Sequence, residues 1–144
     1  MLAVNQDAPS FSLPDQNQII HRLDQYRGRW VLLYFYPKDM TPGCTTEACS
    51  FRDNYDQLLP QLVVLGVSAD SVASHTKFAA KYHLPFPLLS DQSKDTIKVY
   101  QAWGPFTKRL SYLIDPEGKI AKAYPKVSPK DHVAEVIHDL GALQ

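Results

Sequence analysis

The chain has 144 residues, 44% hydrophobic and 21% charged, the proportions of an ordinary globular protein rather than a disordered or disulfide-dense one, and a length that suits one domain over residues 1–144. Fifteen basic residues balance fifteen acidic ones, so no global field draws in nucleic acid or an anionic membrane surface. The longest apolar run, seven residues from Trp30 to Tyr36, is far short of the ~20 that a membrane helix requires, and the amino terminus lacks the basic and apolar regions of a signal peptide, so the expected location is the cytoplasm.

"FSL" and "IIHRL" flank the turn-rich "PDQNQ" and predict an amino-terminal hairpin. "WVLLYFY" is apolar on both faces, the pattern of a central strand covered on both sides; within it Tyr34 and Tyr36 carry phenols that need hydrogen-bond partners. From Thr45 onward Ala48, Phe51, Tyr55, Leu58, Leu59 and Leu62 recur at three- and four-residue spacing, which predicts a helix beginning beside Cys44. "LVVLGVSA" reads as a second buried strand. Asp70 or Ser71 caps the next helix, with Val72, Phe78, Ala79 and Tyr82 on its apolar face. His75 and His83 read as surface or partly buried side chains without ligand spacing.

"FPLLSD" is a short strand before the weak helix "KDTIKVYQAW", and Trp103 and Phe106 read as core or loop packing. "LSYLID", "PEG" and "KIAKAY" predict a hairpin turned by Pro116 and Gly118. Ser128 as cap and Pro129 at the first helical position open a last helix through Val133, Val136, Ile137 and Leu140. This order fits an α/β, thioredoxin-like fold: a central mixed β-sheet flanked by helices, with an N-terminal β-hairpin.

Both cysteines, Cys44 and Cys49, fall within "YPKDMTPGCTTEACSFRD". In a reducing compartment a close pair points to catalysis, redox exchange or metal binding rather than to a permanent staple. A cysteine between a strand end and a helix start meets unpaired amide groups and the positive end of the helix dipole, which favour thiolate and make Cys44 the expected nucleophile. The Thr41 hydroxyl can donate to or accept from a small polar ligand over the sulfur. Pro37 and Pro42 stiffen the loop and help to shield it from water, which suits a small substrate. Two other classes stay open at this point. A metal carrier would need more ligands than two thiols, and zinc or copper titration tests it; a disulfide oxidoreductase would normally show C-x-x-C instead of C-x-x-x-x-C, and insulin reduction tests that.

"PKDMTPGC" resembles the P-x-x-x-T-x-x-C active-site signature of peroxiredoxins, with Pro37, Thr41 and Cys44 at its fixed positions. The longer "FYPKDMTPGCTTEACSFRD" is similar to the peroxiredoxin Q subgroup, also called bacterioferritin comigratory protein, whose resolving cysteine lies five residues after the peroxidatic one, as Cys49 follows Cys44. The resemblance runs from "DAPSFSLPDQ" through "GVSADSVASHTKFAAKYHLPFPLLSD" to "RLSYLIDPEGKI". It implies a thiol-dependent peroxidase for hydrogen peroxide and organic hydroperoxides, with no metal and no organic cofactor. Cys44 would become a sulfenic acid, Cys49 would close an intramolecular disulfide on it, and thioredoxin or a similar dithiol reductant would reopen it. It further implies Arg109 of "RLSYLID" beside the thiolate, Glu47 as the residue orienting that arginine, and Pro37, Pro42 and Gly43 in the active-site loop. An intramolecular resolving thiol requires no second subunit, so a monomer is expected. If one helix carries both cysteines, their Cα atoms lie about 8.6 Å apart, beyond the ~7 Å that a disulfide can span; the helix must then unwind for the disulfide to form.

Overall fold

The computed structural model describes residues 1–144. Its centre is β3 (Trp30–Phe35), the expected doubly covered strand. It pairs in parallel with β4 (Leu62–Ser68) and antiparallel with β6 (Leu110–Ile114). The short β5 (Leu88–Ser90) and β7 (Ile120–Tyr124) complete a five-stranded mixed sheet in the order β5-β4-β3-β6-β7. A separate hairpin joins β1 (Ser12–Pro14) to β2 (Ile20–Arg22), as the amino-terminal pattern predicts.

Because side chains alternate along a strand, β3 feeds two cores. Leu32 and Tyr34, with Tyr36 just beyond the strand, pack toward α1 (Pro42–Asp53), α3 (Val72–Tyr82) and α5 (His132–Leu143), meeting Phe51, Phe78 and Val136. Val31, Leu33 and Phe35 face the other way, toward Phe11 and Leu13 of the amino-terminal segment and Ile97 of α4 (Asp95–Val99). Gly66 of β4 lies opposite Tyr34, and a Cβ there would sit 2.9 Å from the tyrosine ring and hydroxyl. The absent side chain is what leaves the phenol its room.

Several helix limits differ from the expected ones. α1 starts at Pro42 rather than Thr45, with proline in the first turn, where its missing N–H costs nothing. The predicted continuation to Leu62 is broken after Asp53. A single further turn, α2 (Tyr55–Leu58), follows; Leu59 is then extended and 37% exposed before Pro60. The proline ring disfavours the helical conformation at the residue preceding it, which stops α2 at Leu58; the earlier break, where the Asn54 side chain donates to the Ser50 carbonyl at 2.8 Å, is one that apolar periodicity does not register. α5 begins at His132, not Pro129. The Ser128 hydroxyl bonds the Asp131 carboxylate, and the Ser128 carbonyl closes a turn onto the Asp131 and His132 amides. Ser71 caps α3 as expected, accepting from the Ser74 amide at 3.1 Å. Gly118 takes the left-handed conformation in the β6–β7 turn.

Trp103 and Phe106 are 56% and 78% exposed, contrary to a packing role; their loop runs over the surface while its neighbours Tyr100 and Ala102 point inward. His83 is exposed as expected, but His75 is wholly buried. No helix is long and apolar enough to cross a membrane.

His132, at the start of α5, is buried between the Ser111 hydroxyl and the Glu135 carboxylate, each at 2.9 Å, with its ring edge-on to Phe51 and Tyr124. Burial pulls this imidazole below its usual range, against the pull of Glu135 and Asp139. Below the unfolded-state value of about 6.5, the unfolded chain takes up a proton that the folded chain resists, so this contribution to stability is full above that pH and is lost as pH falls through it. The melting-temperature gap between the native chain and His132→Gln should therefore narrow between about pH 7 and about pH 5. A constant gap would remove His132 as the cause.

Candidate active site

β3 delivers the chain to a loop, Pro37–Thr41, and the loop delivers it to the first turn of α1. Cys44 is the third residue of that helix, 2% exposed, within the turn whose amides have no partner inside the helix. Its helical neighbour one turn on is Glu47, fully buried on the same side of α1. Arg109 arrives from the opposite direction. It immediately precedes β6, whose pairing with β3 sets Leu110 against Phe35 and so brings the guanidinium to the end of β3 from which the loop departs.

The three side chains form one unit. Arg109 donates from Nη2 to the Cys44 sulfur at 3.2 Å and from Nη1 to Glu47 Oε1 at 2.8 Å. The planar fork of arginine permits both contacts at once. Burial opposes the charge on Arg109, but Cys44 and Glu47 outweigh it, so the guanidinium stays cationic. Burial pushes the Glu47 carboxyl up to about 7, against the pull of Arg109. Its second oxygen, Oε2, has no hydrogen-bond partner. Gly43 gives the arginine its room: a Cβ there would come 3.0 Å from Nη2 and 3.8 Å from Pro129 Cγ. Any side chain at position 43 presses on the guanidinium.

Thr41 precedes the helix and accepts the Thr45 amide on its carbonyl at 2.9 Å. Its hydroxyl does not cap the helix; it donates to the Lys38 carbonyl at 2.7 Å. With its proton so used, the hydroxyl oxygen is oriented as an acceptor. Pro37 is half-buried and Pro42 exposed. Between them Met40 adopts φ of +67°, a left-handed conformation that costs a non-glycine residue roughly 1–2 kcal/mol and must be held by its surroundings.

Sequence reading missed what holds it. Asp39 is buried and accepts from Tyr36 Oη at 2.7 Å and Ser74 Oγ at 2.8 Å; His75 Nδ1 lies 2.6 Å from its Oδ2. The Asp39 amide donates to Asp70 Oδ2 at 2.9 Å, and Ser68 Oγ donates to the same oxygen at 2.8 Å. Donor atoms of Asp39, Asp70 and His75 lie within 4.8 Å of one another. They meet through these hydrogen bonds, with Ser68 and Ser74 completing the set. The only signal in the sequence was an aspartate inside the loop and a histidine one turn into α3, 36 positions apart. Tyr36 thus has its phenol partner, whereas the Tyr34 hydroxyl is buried with none; burial, then Glu47 and Cys44, raise it well above the usual tyrosine range and keep it neutral.

The structure therefore joins Cys44, Glu47 and Arg109, and sets Thr41 one helical turn before the sulfur. Cys49 is not joined to them. It is half-buried on the same helix, and both thiols are free.

The AhpC/TSA family model matches residues 4–123. A putative peroxiredoxin bcp of Coxiella burnetii is 47% identical, over 94% of this chain and 97% of its own length. Peroxiredoxin Bcp of Bacillus subtilis is 42% identical, over 96% and 95%. Among solved structures, a cysteine-to-serine mutant of Xylella fastidiosa PrxQ superposes with a TM-score of 0.93 at 32% identity, covering 99% of this chain and 97% of that one.

Proposed function

The chain belongs to the AhpC/TSA family, as a thiol-dependent peroxidase of the Bcp and peroxiredoxin Q kind, and from that premise we propose that Cys44 is its attacking thiolate and Cys49 its resolving thiol. The observation that carries the assignment is the 3.2 Å contact from Arg109 to the Cys44 sulfur. No other cysteine has a cation so placed.

The Cys44 thiolate attacks one peroxide oxygen and the O–O bond breaks. The sulfur is oxidised to sulfenic acid, and the other oxygen leaves as water or an alcohol after taking a proton. Arg109 stabilises the negative charge growing on the leaving oxygen, in a setting where Glu47 already fixes its direction. The Thr41 oxygen accepts the hydrogen bond of the incoming hydroperoxide. Cys49 sulfur then attacks the Cys44 sulfenic sulfur, an S–S bond forms, and the hydroxyl departs as water. Two electrons and two protons from thioredoxin or a similar dithiol protein restore both thiols. The single domain of residues 1–144 works as a monomer in this scheme. A related structure, a bacterioferritin comigratory protein of Xanthomonas campestris at 31% identity and a TM-score of 0.90, is described by its alkyl peroxide reduction; organic hydroperoxides are accordingly proposed as substrates here, together with hydrogen peroxide. Intact mass after one equivalent of peroxide tests the scheme. It should fall by about 2 Da as the disulfide forms, and an unchanged mass rules the pairing out.

α1 carries both thiols in the reduced chain. At a Cα separation of about 8.6 Å the disulfide requires its opening turns to unwind. Phe51, stacked on Tyr34 at 4.9 Å between ring centroids, anchors the far end of the helix. Hydrogen-exchange mass spectrometry should show faster amide exchange from Cys44 to Asp53 in the oxidised form, with α5 unaffected. Equal protection in both forms would mean that the thiols do not pair within one chain.

A further inference from the structure

We propose that His75 is a positioning residue for the peroxide step: held as an imidazolium by Asp39, it fixes the loop that presents Thr41 to Cys44. This deepens the assignment of Cys44 and rests on it. His75 Nε2 faces the Leu89 carbonyl at 3.1 Å, which can only accept, so this nitrogen carries a proton. Nδ1 faces Asp39 Oδ2 at 2.6 Å. Asp39 already receives hydroxyl protons from Tyr36 on Oδ1 and from Ser74 on Oδ2, an arrangement that favours the carboxylate. A carboxylate needs a donor from Nδ1 as well. Both ring nitrogens are therefore protonated, and the pair is an ion pair with side chains that are 0% and 1% exposed.

The surroundings show what this pair is for. The groups that can titrate against His75 are Asp39 and Tyr36 of the β3–α1 segment and Asp70 beyond β4; β5 offers only the Leu89 carbonyl, and α3 itself the Ser74 hydroxyl. No lysine or arginine is bonded to Asp39, so His75 is the sole cation neutralising it. Asp39 in turn is the only residue of the Pro37–Thr41 loop whose side chain is tied down in the protein interior. The next residue, Met40, is left-handed, and the one after is Thr41. Loss of the second proton from His75 would leave a buried carboxylate uncompensated, and the loop is the part free to move in response. The peroxide rate should thus decline on the alkaline side as that proton leaves.

Two measurements test this: nitrogen-15 NMR of His75 in the reduced chain from about pH 6 to about pH 9, and stopped-flow peroxide rates for the native chain and for His75→Asn. Asparagine keeps a donor near the Nδ1 position but never carries charge. The expected result is a ring protonated on both nitrogens at neutral pH, an alkaline fall in rate that coincides with its deprotonation, and a variant slower by about tenfold, as loss of reacting geometry produces, with no such alkaline fall. A bare ring nitrogen at neutral pH, a full rate in His75→Asn, or an alkaline fall that persists in the variant would overturn the inference. If His75→Asn does not fold, coincidence of the native ring titration with the native rate profile decides, and a mismatch overturns it. Cys44→Ser keeps the two levels distinct. Peroxide consumption surviving that substitution refutes the assignment of Cys44 itself; consumption that depends on Cys44 yet ignores His75 refutes only the role of His75.

Discussion

Cys44→Ser should abolish peroxide consumption, while Cys49→Ser should complete one turnover and stop at a sulfenic acid that drifts to higher oxides. The asymmetry follows from what each sulfur touches. Cys44 sits in the first turn of α1 with the Arg109 guanidinium 3.2 Å away, so both the helix start and the cation favour attack. A serine hydroxyl in the same place remains protonated at neutral pH and has no adjacent general base, and the expected loss is at least about 10³-fold. Cys49, five positions along, lies beyond the first turn and has no guanidinium hydrogen-bonded to its sulfur, since nearby Arg52 bonds Asp53 and the Tyr82 carbonyl; it enters only after the sulfenic acid exists. In Cys49→Ser the first equivalent of peroxide should disappear at close to the native rate, and a sulfenic-acid trap should label the chain once. Equal single-turnover loss in the two variants would sink the assignment.

Arg109→Ala should slow the peroxide step by about 10²- to 10³-fold, the range seen when one preorganised donor to a developing oxyanion is removed. The deletion acts twice. It strips the sulfur of its only cationic partner, and it leaves Glu47 buried without the contact that draws its carboxyl down. With burial unopposed, Glu47 should become neutral at physiological pH, which relieves the fold of a buried charge but restores nothing to the sulfur. Arg109→Lys should recover only part of the rate, because an ammonium cannot hold Glu47 and reach Cys44 with two parallel donors. Glu47→Gln keeps a hydrogen-bond acceptor for Nη1 and should be much milder than Arg109→Ala. Stopped-flow rates against peroxide concentration measure all three. An unchanged rate in the alanine variant would move the electrostatic role to another residue.

What the sequence by itself determined is whatever depends on neighbours along the chain. The apolar run from Trp30 to Tyr36 has the pattern of a doubly covered strand, and the structure makes Trp30–Phe35 the centre of the sheet. The amino-terminal hairpin, the Ser71 cap, the β6–β7 turn and the helix start beside Cys44 were all legible for the same reason, since capping and turn chemistry act over three or four residues. The P-x-x-x-T-x-x-C pattern likewise named Cys44 and Thr41, and the resemblance it carries pointed to Arg109. Periodicity misled where local rules cut across it: α1 stops at Asp53, and Pro60 stops the single turn α2, although apolar spacing continues through Leu58, Leu59 and Leu62. Contact between distant positions was decided only by the tertiary structure. Arg109 meets Cys44 across 65 positions because β6 runs antiparallel to β3, and His75 meets Asp39 across 36 because β4 runs parallel to β3 and delivers α3 to the same end of the sheet. Burial belongs to the same class. A histidine on a helix and a tryptophan in a loop carry no mark of depth, and here the histidine is the one enclosed and the tryptophan the one in water. The reason is physical: a side chain's hydrogen-bond partners and its share of solvent are set by which elements pack against it, and that packing exists only once the whole sheet has formed.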